Sequence, residues 1–156
     1  MYNENGTKND KAMSLITLSM CEEKKVLISY NQNYEKIAMG LLSYVADLKN
    51  VDRLEKEMAT YIQEEDKKLF LWRDTDTDNI VALVGIEYAE SVVLIRHLSV
   101  NPSFRNEGLI YKMLDKLNLI YPIQAINGTL ETAPIIAKWV QKNAETAPDL
   151  DDDIWI

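Results

Sequence analysis

The 156-residue chain has little of what most cofactor sites need: one cysteine (Cys21), one histidine (His97), five glycines and four prolines. A lone cysteine excludes an internal disulfide. One cysteine with one histidine also excludes a Cys/His zinc cluster, which takes four such ligands. Basic residues are outnumbered, 17 Lys and Arg against 25 Asp and Glu, for a formal charge of −8. That balance disfavours nucleic acid, where affinity comes mostly from clustered Lys and Arg. The few glycines form no G-x-G-x-x-G and no G-x-x-x-x-G-K-[ST], so neither common nucleotide cradle is present.

Residues 1–11 are polar, and an apolar run follows at 12–21 (AMSLITLSMC). This run is too short to cross a bilayer. It also makes a poor export signal, because Ser14, Thr17 and Ser19 interrupt it and Met20 stands where a small residue is wanted. Residues 1–25 are therefore read as an N-terminal extension of a cytoplasmic protein with no membrane partner.

Beyond that, the periodicities are clear. Residues 26–30 (VLISY) read as a strand. Ile37, Leu41, Leu42, Val45 and Leu48 share one face of a helix over 34–48, and Val51, Leu54, Met58 and Ile62 repeat the pattern in a second helix. Strands follow at 67–73, 80–89 and 91–100, the first two separated by an acidic loop (DTDTDN). Then come a helix over 106–119, a short strand over 123–126 ended by the Asn127-Gly128 turn signal, and a helix over 132–143. The acidic end, 144–156, is a tail or a last short strand. The order is α/β with contiguous central strands able to pair antiparallel, in one domain over 26–143.

The most informative stretch runs from the third central strand into the helix: Val100-Asn101-Pro102-Ser103-Phe104-Arg105-Asn106-Glu107-Gly108. A strand that turns directly into a helix presents free N–H groups and the positive end of the helix dipole, which favour an anion. Arg105 adds charge, and Gly108 lets the backbone approach a bulky phosphate. The segment reads as a diphosphate cradle.

The residues I-R-H-L-S-V-N-P-S-F-R-N-E-G-L resemble motif A of the GNAT acetyltransferases, V-x-P-x-x-R-x-x-G-x-[GA]. Residues 34–43 (YEKIAMGLLS), 69–72 (LFLW) and 95–103 (IRHLSVNPS) further resemble the RibT branch of that family, found with riboflavin-biosynthesis genes in Gram-positive bacteria. The resemblance implies a mixed, mostly antiparallel sheet flanked by helices and splayed at the strand before the cofactor-binding helix. It implies an acetyl-CoA-dependent acyltransferase for a small-molecule acceptor, without a metal, as monomer or homodimer. The backbone of Leu98 and Val100, with Ser99 between them, would hold the pantetheine arm. The N–H groups of Arg105, Asn106, Glu107, Gly108, Leu109 and Ile110 would surround the diphosphate. Ile110 departs from the motif's Gly or Ala and would crowd the diphosphate. No tyrosine stands at 137–140 (AKWV), where the family often places its acid. These departures motivate the alternative of an accessory or regulatory GNAT-fold module without catalysis.

Three residues are candidates for the chemistry. Arg96 stands where several relatives place a Glu or His; it cannot act as a base but can clamp an anionic acceptor bidentately. Strict strand alternation would send His97 to the opposite face, as a catalyst or, more commonly, a hydrogen-bonded core residue. Glu87 on the preceding strand could reach the cleft as a base through water. The region 44–50 lines the acceptor site in the family. The DTDTDN loop resembles the start of a calcium loop, but Asn79 holds the sixth position and Gly85 the twelfth, so it reads as a solvated hairpin.

Overall fold

The computed structural model describes residues 26–146. Leu69, Leu71 and Leu83 point to one side of a sheet, and Phe70, Trp72, Ala82, Val84 and Ile86 to the other, the period of two that extended backbone imposes. Five strands build it: β1 (Leu27–Ser29), β2 (Lys67–Arg73), β3 (Ile80–Tyr88), β4 (Val92–Val100) and β5 (Ala125–Gly128), in spatial order as in chain order. The first four pair antiparallel, and β5 lies parallel to β4 after a helical crossover.

Both faces are covered. Helices α1 (Glu35–Leu42) and α2 (Val51–Gln63) bury Ala38, Leu41, Leu42, Leu54, Met58 and Tyr61 against the leucine face. Helices α3 (Leu109–Ile120) and α4 (Ala133–Thr146) bury Leu109, Met113, Leu114, Leu117, Ile136 and Trp139 against the opposite face. The Asp74–Asn79 connection is a hairpin turn, in which the Asp74 carboxylate accepts bonds from Thr77 N–H (3.1 Å) and Thr77 Oγ1 (2.7 Å). No helix among the described residues is long and apolar enough to cross a membrane.

Several boundaries differ from the sequence expectation. The helix expected over 34–48 ends at Leu42, because Ser43 Oγ donates to the Gly40 carbonyl and the chain turns into a short 3-10 segment, Ala46–Leu48. The helix expected from residue 106 begins at Leu109; Pro102–Glu107 is 3-10, and Gly108 takes a left-handed φ of 67° that separates the two. The last strand comprises Ala125–Gly128, so Asn127-Gly128 is part of the pairing and not the turn after it. On α2 the buried face uses Tyr61, while Val51 and Ile62 are exposed. The expectations for 1–25 and for most of the acidic end lie outside the described residues.

Candidate active site

The pairing of β4 explains where a site can form. Along β5, β4 is partnered only from Val92 to Ile95, and Thr132 Oγ1 then caps the Ile95 carbonyl at 2.7 Å. From Arg96 to Val100, β4 has no neighbour on that side among the described residues. On its other side, Asn101 N–H bonds the Val81 carbonyl at 2.8 Å. Antiparallel alternation then makes 83–99 and 85–97 the hydrogen-bonded pairs and turns the N–H and C=O of Leu98 and Val100 away from β3, into the gap. Arg105 Nε already donates to the Val100 carbonyl at 3.2 Å, and its guanidinium lies 5.7 Å from the Tyr44 ring centre.

The anion site expected by sequence adjoins this gap. Asn101 caps the 3-10 turn by accepting from Ser103 N–H at 3.0 Å. The first bond of α3 runs from Lys112 N–H to the Gly108 carbonyl, so the N–H groups of Leu109, Ile110 and Tyr111 have no intrahelical acceptor. Nothing lies within 4 Å of where a Gly108 Cβ would stand. The Ile110 side chain packs on the core beside α3, and Asn106 and Glu107 contribute backbone to the turn. Ser99 faces the other way: its hydroxyl donates to the Leu41 carbonyl and ties β4 to the end of α1.

A cleft of about 410 Å³ opens beside the gap, lined by Asp47, Arg96, His97, Thr129, Leu130 and Glu131. Arg96 and His97 both face the α2 side, contrary to strict alternation. The reason is a bulge: Gly85 pairs with His97 and Ile86 with Ile95, leaving Arg96 as the extra residue. His97 is 9% exposed, and its Nδ1 lies 2.6 Å from the Tyr61 hydroxyl. The Arg96 guanidinium sits 5.3 Å from the Tyr61 ring centre and pairs with Glu57 at 2.5 Å. Its charge is therefore engaged within the protein, which removes the basis for expecting an anionic acceptor at Arg96.

Glu87 is not brought to this cleft. It lies at the far end of β3, 4.0 Å from Lys67 Nζ. Sequence reasoning singled out the 44–50 region that supplies Asp47, but missed Tyr61 and Glu57, which hold His97 and Arg96, and Glu131 at the mouth. Asp47 sits in the turn after α1 and Glu131 in the turn after β5; the hydrogen bond its protonated carboxyl gives to the Asp47 carboxylate, with burial and the neighbouring charge, raises the Glu131 pKa. Burial lowers the His97 pKa and holds the Tyr61 phenol well above its ordinary value.

This is the architecture of an acyltransferase: a sheet parted beside a strand with outward backbone groups, next to a helix N-terminus. No family model matches the chain. An uncharacterized N-acetyltransferase from the lysA 3′ region of Bacillus methanolicus is 40% identical over 114 residues, covering 72% of this chain and 93% of that protein. Among solved structures, a possible acetyltransferase from Clostridium difficile 630 superimposes with a TM-score of 0.60 at 15% identity, over 78% of this chain and 90% of its own. The aminoglycoside enzyme AAC(6′)-Iy, in complex with a CoA bisubstrate analogue, superimposes with a TM-score of 0.56 at 13% identity, over 74% and 86%. The chain belongs to the GNAT family of N-acetyltransferases.

Proposed function

We propose that the protein transfers an acetyl group from acetyl-CoA to the amine of a small acceptor that arrives as a cation. The observation that carries this reading is the juxtaposition on β4: outward Leu98 and Val100 backbone beside the open N–H groups of α3. Leu98 and Val100 hold the amide-bearing pantetheine arm as an added strand would be held, and the N–H groups from Arg105 to Ile110 receive the diphosphate. When bound, acetyl-CoA supplies an activated thioester.

The acceptor side of the cleft is acidic. Arg96 is neutralised by Glu57, while Asp47 and Glu131 meet at the mouth. A carboxylate pair attracts an ammonium group, and Glu131, with its raised carboxyl, takes up the proton the amine must lose before attack. Within the family, the residues at 34–43, 69–72 and 95–103 resemble the RibT branch, and the proposed link to riboflavin biosynthesis rests on that resemblance alone.

Calorimetry with acetyl-CoA is the first test, followed by thiol release with three probe amines. 1,3-Diaminopropane should be a better acceptor than propylamine, and β-alanine the poorest. Asp47→Asn should flatten that ranking without weakening acetyl-CoA binding. Absence of binding heat at millimolar acetyl-CoA would overturn the reading; binding without turnover of any amine would favour an accessory module.

A further inference from the structure

We infer that His97 enters the cleft as a fixed hydrogen-bond donor through its Nε2–H, and that Tyr61 is the positioning residue that fixes it. The usual expectation for a histidine at such a place is a base. The hydrogen-bond inventory around it points the other way.

His97 Nδ1 and the Tyr61 hydroxyl are 2.6 Å apart in a buried setting, and one of them must donate. Arg96 lies over the Tyr61 ring, and a guanidinium only donates. If Nδ1–H donated instead, the buried phenol hydrogen would face that donor on one side and the guanidinium on the other. The described residues offer it no other acceptor, and such an orphan costs more than a bond gains. The phenol therefore donates to Nδ1.

The ring lines the cleft with its Nδ1 edge turned inward to Tyr61, so the remaining nitrogen, Nε2, belongs to the cleft side. Its hydrogen bond to Tyr61 is the only one the ring makes among the described residues. A neutral imidazole with its acceptor nitrogen already taken can present only N–H to a ligand. Burial agrees, since it disfavours the imidazolium and keeps the phenol protonated.

Gly85 on β3 makes the arrangement possible. The Tyr61 hydroxyl lies 2.2 Å from where a Gly85 Cβ would be, so only glycine lets the phenol reach across the sheet to His97. Arg96 and Glu57 close over the ring from the α2 side. The charged and titratable groups around the imidazole are Glu57 and Tyr61 from α2, Arg96 from β4, Asp47 after α1 and Glu131 after β5.

For the reaction this assigns His97 a different task from proton removal. Beside the outward backbone of Leu98, a fixed Nε2–H stabilises negative charge developing on the thioester oxygen, with no proton leaving the ring. That role rests on the acetyl-transfer reading; the tautomer itself does not.

The chain's single histidine makes the test unambiguous. Long-range proton–nitrogen NMR spectra of ¹⁵N-histidine-labelled protein at pH 7.5 should show one imidazole, with Nε2 protonated and Nδ1 unprotonated. Tyr61→Phe, with the fold checked by its amide spectrum, should abolish that fixed pattern and average the two nitrogens. A protonated Nδ1 in the wild-type protein would overturn the proposal, as would an unchanged tautomer in Tyr61→Phe. The wild-type spectrum decides even if the variant fails to fold, and it needs no substrate. With acetyl-CoA and 1,3-diaminopropane, loss of one such donor should lower kcat by about 10²–10³ in His97→Ala. His97→Gln, which retains an N–H donor but is no base, should recover at least ~10-fold of that, with KM for acetyl-CoA unchanged. Equal losses in both variants would refute the catalytic role.

Discussion

Replacing Gly85 by alanine would place a Cβ 2.2 Å from the Tyr61 hydroxyl and 2.5 Å from its Cζ. Both distances are impossible, so something must move. The β3 backbone is held between β2 and β4 in the middle of the sheet, which leaves the ring. A pocket of about 640 Å³ adjoins it, bounded by Tyr30, Ile62, Lys67 and Leu69 among others, so the ring has somewhere to retreat. Retreat breaks the bond to His97 and pulls the ring from beneath Arg96. The overpacking itself costs about 1–3 kcal/mol. Leaving His97 Nδ1 buried without its donor adds about 1–3 kcal/mol. With the relief the pocket allows, Gly85→Ala should destabilise by roughly 3 kcal/mol, and a domain of this size would then melt roughly 10 °C lower. Urea denaturation gives the free energy and a thermal scan the shift. The effect is also pairwise: with Tyr61→Leu in the background, the cost of Gly85→Ala should largely vanish. A Gly85→Ala protein within about 0.5 kcal/mol of wild type, or a cost that persists without the tyrosine ring, would refute it.

Three further predictions follow from single residues. Gly108→Ala meets open space but must hold φ at 67°, so it should cost about 1–2 kcal/mol, and Gly108→Asn, which tolerates that region, should cost less; equal stability of all three proteins would count against it. Ile110→Ala should lose about 1–2 kcal/mol because its side chain packs on the core, yet leave acetyl-CoA affinity within about twofold; calorimetry showing much tighter binding would reveal real crowding of the diphosphate. His97 has a lowered pKa through burial, so below the ordinary histidine value of about 6.5 the unfolded chain binds a proton that the folded chain refuses. Stability should then fall as pH drops through that value and be flat above it for this group, and His97→Gln should remove the slope; an unchanged slope in the variant would assign it elsewhere.

The order of elements was legible because each segment buries one face, and burial writes a period of two or 3.6 into the sequence. Where a side chain works against its pattern, that legibility fails. Ile62 fits the apolar spacing of α2 better than Tyr61 does, yet Ile62 is exposed and Tyr61 buried. The period alone could not choose between adjacent residues, and what chose was a polar partner on a strand 36 positions away. Gly85 did carry a signal: a glycine inside a run of branched residues marks a close approach. Asp47 was marked only by its place in the 44–50 region, and Glu131 gave no sign. Each lies in a turn, and their meeting depends on where two helices and β5 end.

The deepest difference between sequence and site comes from one extra residue in β4. In a strand without a bulge, Arg96 and His97 would lie on opposite faces, one toward α2 and the other toward α3. With Arg96 inserted, both side chains face α2, and Leu98 and Val100 keep the α3 face that Val93 and Ile95 occupy before it. The same insertion resets which backbone groups point outward. Before the bulge, the Ile95 carbonyl faces β5 and is taken by Thr129 and Thr132; after it, Leu98 and Val100 face the gap. The His97 side chain and the outward backbone are thus set by a single register shift. Deleting that shift would misplace both at once, so the bulge belongs to the site as much as any residue lining it.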